Sequence, residues 1–199
     1  NALLSISPED LGVINSRWRG FSNAAQSNWH QYQRLFYQLI GAACLLLLPA
    51  VAMQLFPGSG VNWTGSDFIL LGVMLATACG LYALGAWLSG NPAYRAGFGL
   101  AALTGFLTVW VNLAVGMLGS ENGSINLMFA GVLFIAAAGA LLAGLKPRGT
   151  ALAMLAAAVA QLAAVGVALA MGGFDARELT FTAMFALPWL ASAALFRAA

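Results

Sequence analysis

The 199-residue chain is 61% hydrophobic and only 7% charged, with a formal net charge of +2. A soluble domain averages about 25% charged residues, so this composition excludes an ordinary soluble surface, and a balance of +2 excludes a nucleic-acid binder acting by bulk charge. Length and composition together describe one membrane domain and not several globular ones.

Residues 1–33 are the one sizeable stretch that cannot span a bilayer, and they read as an amphipathic N-terminal helical arm ahead of a transmembrane domain over 34–199. Ser7, Pro8, Glu9 and Asp10 mark a helix start, with a capping hydroxyl, a proline in the first turn and two acids at the positive end of the dipole. That helix is expected to end near Arg19, broken by Gly20, and a second to begin near Ser22 or Asn23. The second helix carries Trp29, Tyr32, Phe36 and Tyr37 to headgroup level. Two readings stay open for it: an interfacial anchor, or a docking arm for a partner subunit.

Six apolar runs follow, at about 39–56, 68–88, 98–118, 127–145, 151–171 and 181–196, each near the length that crosses a bilayer. Pro49 interrupts the first and Pro188 the last. The connectors are short and rich in Gly, Pro, Ser and Asn: PGSGVNWTGSD, SGNPAYRAG, GSENGS, LKPRGT and GGFDARELT. With both termini cytoplasmic, seven of the eight basic residues fall inside, leaving Arg177 outside with Asp67, Glu121, Asp175 and Glu178. The positive-inside rule expects that distribution.

No Asp, Glu, Lys or Arg lies near the middle of a span, which counts against a pump or proton-coupled carrier. Asn112 and Gln161 are the amides deepest in their helices. Each needs a partner in hydrocarbon, either an interhelical hydrogen bond of about 0.6–2 kcal/mol or a bound solute. Glu121, in the connector after the third span, is a surface acid open to a partner, and Asn126 is expected to cap the fourth helix through its side chain. Small residues recur four apart at Ala136, Ala140 and Gly144 and at Ala156, Ala160, Ala164 and Ala168, which predicts a tight pair between the fourth and fifth helices.

His30, the single histidine, sits beside Trp29; an interfacial polar residue and a ligand to haem or a pigment magnesium are its two readings. Cys44 and Cys79 lie in apolar runs without metal or redox spacing. There is no phosphate-cradling loop, metalloprotease motif or nucleophile elbow, so neither a catalytic residue nor a metal site is expected.

The segments LLLLPAVAMQLF, VNWTGSDF, GNPAYRAG, VWVNLAVGMLGSENGSINLMF and LKPRG, with Asn112–Gly116, Gly119–Glu121 and Asn126–Met128 the most specific, resemble in order and spacing a family of small multi-pass bacterial inner-membrane proteins. The family has a proline in the loop where this chain has Ser124 and its neighbours. No activity is assigned to that family, so the resemblance implies topology and bacterial origin, not a reaction.

The expectation is an all-α integral membrane protein of the bacterial inner membrane, non-catalytic, an accessory or assembly subunit of a larger complex. Its partners would be the bilayer, with bound lipid and no other cofactor, and other membrane subunits reached through the arm. A carrier or channel for a neutral or apolar solute is the alternative. Asn112, Gln161, Glu121, Trp29 and His30 are the candidate contacts for a partner or solute.

Overall fold

The structure, a computed structural model, describes residues 8–56 and 63–199. All secondary structure among the described residues is helical: α1 Pro8–Leu55, α2 Gly65–Leu88, α3 Pro92–Ala114, a 3-10 turn Ser124–Asn126, α4 Leu127–Leu142, α5 Pro147–Met171, α6 Ala176–Met184 and α7 Ala186–Arg197. Five of these segments are long and apolar enough to cross a membrane: α2, α3, α4 with its 3-10 turn, α5, and α6 with α7. Ile40–Leu55, the apolar part of α1, is shorter. The chain divides into two compact units, 1–72 and 73–199.

In the first unit the expected break at Gly20 is absent, and α1 runs unbroken through it. One interior glycine costs a helix only about 1 kcal/mol, which a helix of this length absorbs. The start of α2 is built by local chemistry. Asp67 accepts the Thr64 N–H at 2.7 Å and the Thr64 hydroxyl at 2.7 Å, which fixes the first turn in the manner of a capping box. Trp63 meets Phe68 edge to face at 5.4 Å across that turn, a hydrophobic staple. The helix therefore begins three residues before the apolar run does.

In the second unit α5 is central. It packs on α4 along one side and α7 along another, and α3 lies against α7. Phe129, Ala157, Ala158 and Ala168 are fully buried, whereas Leu142 is 90% and Trp87 78% exposed. Apolar side chains thus face both the core and the outside, as lipid-facing helices require.

Local signals set the helix ends. The side-chain oxygen of Asn91 accepts from Ala93 N at 2.8 Å, and Pro92 takes the first helical position, so α3 starts well before Phe98. At the end of α4, Gly144 turns left-handed at φ 60°, Gly144 N donates to Leu141 O and Leu145 N donates to Ala140 O, a Schellman closure. Leu145 also has a positive φ of 56°, and the Tyr94 hydroxyl donates to its carbonyl at 2.8 Å.

Three expectations are corrected. The α4–α5 pair forms, with Ala136, Ala140, Ala164 and Ala168 buried, but Gly144 lies beyond the end of α4, which it closes, and Ala156 faces outward, because a strict four-residue stripe drifts around a helix of 3.6 residues per turn. The close approach is instead Gly139 on Ala153, where a Cβ on the glycine would stand 2.8 Å from the alanine Cβ. The last span is not one helix: α6 and α7 are separated at Phe185, three residues before Pro188, whose missing N–H leaves the Met184 carbonyl without its helical donor. Asn126 makes no side-chain cap to α4; its amide is used elsewhere.

Candidate functional site

Two arrangements stand out in the second unit, a polar knot at one end and an apolar cavity toward the other. The knot begins where α3 stops. Val115 ends the helix, Gly116 turns at φ 78°, and the chain folds inward so that Met117 and Leu118 are buried. Irregular backbone at such depth survives only if its polar groups are satisfied by protein. Asn126 supplies most of that: its Oδ1 accepts from Met117 N at 3.2 Å and Leu118 N at 3.0 Å, and its Nδ2 donates to Leu118 O at 3.1 Å and Ser120 O at 2.8 Å. The Met117 carbonyl accepts the Thr182 hydroxyl at 2.7 Å, and the Thr182 carbonyl accepts Gln161 Nε2 at 2.9 Å. One network thus joins α5, α6 and the connector after α3.

Gln161 is fully buried and bonds across helices, but its Oε1 has no partner. Asn112 is half-buried and bonds within its own helix, Nδ2 to Thr108 O at 2.8 Å, the last step of a ladder in which Thr104 and Thr108 also bond back four residues. Its Oδ1 is shielded without a partner. Glu121 is exposed and accepts only Asn122 Nδ2, at 3.2 Å. Asn112, Gln161 and Glu121 thus each bond to a different partner and share no hydrogen bond. Trp29 and His30 ride on α1, and their side chains lie outside the described residues. No cluster of three or more His, Cys, Asp or Glu side chains that would hold a metal occurs among the described residues.

The cavity has a volume of about 430 Å³. Its walls come from Val73–Leu84 on α2, Ala101–Val109 on α3 and Leu133–Leu145 around α4, with Met154, Trp189 and Phe196 behind. At its edge Phe98 of α3, also a wall residue, fills the space beside Gly85 of α2. Nothing that titrates lines the cavity, and the Thr77 hydroxyl there bonds back to Val73 O at 2.8 Å. Thr150 Oγ1 and Trp189 Nε1, on wall residues, are buried without hydrogen-bond partners. The site can hold an apolar molecule and offers no group for acid–base or nucleophilic chemistry. Thr182, Thr150 and Trp189 belong to no motif; the only signals for them in the sequence are threonines within apolar helices and a tryptophan inside an apolar run.

Charge in this unit is sorted by end. Arg95, Lys146, Arg148 and Arg197 gather at the end where α3 and α5 begin and α7 finishes, an end tied together by Tyr94 to Leu145 and by Asn91 Nδ2 to Ala199 O at 3.2 Å. Glu121, Asp175 and Glu178 lie with Arg177 at the opposite end, where Gly119 approaches Phe174. No family model matches the chain, nor does any curated protein or solved structure.

Proposed function

We propose that this chain is a non-catalytic multi-pass membrane protein of the bacterial inner membrane, with six spans and cytoplasmic termini, that serves as an accessory or assembly subunit of a larger complex. The observation that carries the reading is the fate of the polar side chains within the helices. Thr104, Thr108, Asn112, Gln161, Thr182 and Ser192 each hydrogen bond to backbone of this same chain. Gln161, Thr182 and Ser192 tie separate elements together, and Thr104, Thr108 and Asn112 bond back within α3, so these groups are taken up by the protein's own backbone and not by a polar track for a hydrophilic solute. The long α1 supplies an element that a partner would engage. Purification from native membranes in mild detergent tests this: defined co-purifying subunits in fixed ratio support it, and a monodisperse lone species contradicts it.

The apolar cavity favours a second reading, a carrier for an apolar solute. Reconstituted alone, such a carrier would move an apolar fluorescent substrate between leaflets or vesicles, and an accessory subunit would not.

A further inference from the structure

We propose that the cavity is the chain-binding slot of a site for an anionic phospholipid, with one acyl chain between α2 and α4 and the phosphate headgroup at the basic end of the unit. The proposal goes beyond the subunit reading, since a subunit and a lone protein would bind the lipid alike.

Four observations converge on this ligand. The slot has the right length and direction. Val73–Leu84 on α2 covers a rise of about 16 Å, close to the roughly 15 Å that half of a 30 Å hydrocarbon core requires. It runs from the middle of the helices to the end formed by Leu145, Thr150 and Phe196. Its walls are hydrocarbon, so they recognise a chain and leave the headgroup outside. α2 and α4 form opposite walls without packing on each other as α4 and α5 do, which leaves a lateral mouth.

The charge at the end of the slot selects the headgroup. Arg95, Lys146, Arg148 and Arg197 gather there, and within residues 73–199 every Asp and Glu lies at the other end. None of the four side chains has an acidic partner or a hydrogen bond among the described residues. Unpaired cations at the surface end of an apolar slot between helices attract a phosphate-bearing headgroup. A free fatty acid shares the chain chemistry but offers a single carboxylate, so the two sources can be told apart.

Native mass spectrometry of the full chain, delipidated and exchanged into dioleoyl phosphatidylglycerol or dioleoyl phosphatidylcholine, tests the proposal. Phosphatidylglycerol should be retained preferentially at one copy per chain, with oleic acid a poor competitor. Each of Lys146→Gln and Arg148→Gln, exposed and outside the packed core, should lower its affinity roughly fivefold. Ala137→Phe, which fills the slot, should reduce retention of both phospholipids, whereas Leu142→Phe, on the outward face, should not. Ala101→Leu is a second filler read in the same way, and thermal melting identifies any variant that fails to fold. Equal retention of the two lipids overturns the headgroup assignment, displacement by oleic acid overturns the phospholipid assignment, and retention unchanged by both fillers overturns the site.

Discussion

Asn126 and Leu118 hydrogen bond to each other in both directions: Leu118 N donates to Asn126 Oδ1 at 3.0 Å and Asn126 Nδ2 donates to Leu118 O at 3.1 Å. The side-chain amide stands in for a neighbouring strand and satisfies a buried peptide that no helix reaches. That pairing lets the chain after α3 leave helical geometry below the surface and still bury Met117 and Leu118.

Asn126→Ala should therefore cost more than the roughly 1 kcal/mol of a lost cap, about 2–4 kcal/mol, because it strands several buried backbone groups. Asn126→Asp keeps the acceptor but turns a carboxylate oxygen toward the Leu118 and Ser120 carbonyls, so at neutral pH it should cost at least as much as alanine. Thermal melting in detergent ranks the three, and a cost near 1 kcal/mol for alanine would show that water replaces the amide.

Thr182→Val removes the hydroxyl that covers the Met117 carbonyl and should cost about 1–3 kcal/mol. Gln161→Leu should stay within about 1 kcal/mol, since it removes one hydrogen bond together with an unpartnered buried Oε1. Equal large losses for both would mean that Gln161 Oε1 has a partner in solution.

Much of this was legible in the sequence, and the limits have physical causes. Apolar runs located five span-length segments because hydrophobicity along a chain is a one-dimensional property. Asn91 before Pro92, and Thr64 three residues before Asp67, were readable start signals for α3 and α2 that apolar content alone placed too late. The buried face of α5 was legible only in part: Ala160, Ala164 and Ala168 of the four-apart stripe pack inward, but Ala156 is outside and Ala157, the same residue type, is inside. Gln161 and Asn112 were readable as groups in need of partners, but the partner of Gln161 stands 21 residues on, across a helix break. The cavity depends on the placement of five helices, and no local pattern encodes it.

Glycine positions separate packing from propensity. Gly139→Ala should lower stability by about 1–3 kcal/mol, because the new methyl meets Ala153 at 2.8 Å. Gly131→Ala, with open space around it in the same helix, should be neutral or stabilising by up to about 1 kcal/mol. The pair measured side by side in thermal melts checks the α4–α5 contact; equal effects would remove it.

Glu121→Gln should leave melting within about 0.5 kcal/mol, since the carboxylate is exposed and touches only Asn122. Loss of a co-purifying partner in this variant, with melting unchanged, would identify the connector as part of an interface. Unfolding would show that the acid is structural.

The central claim, a bundle that threads the bilayer with its basic end inside, is tested most directly by cysteine accessibility in intact cells. Single cysteines are placed at Glu121, Arg148, Asp175 and Arg197 in a background with Cys44 and Cys79 replaced by alanine. The account predicts that a membrane-impermeant maleimide labels positions 121 and 175 from outside and reaches 148 and 197 only after the membrane is opened. Labelling of 121 and 148 from the same side would contradict it.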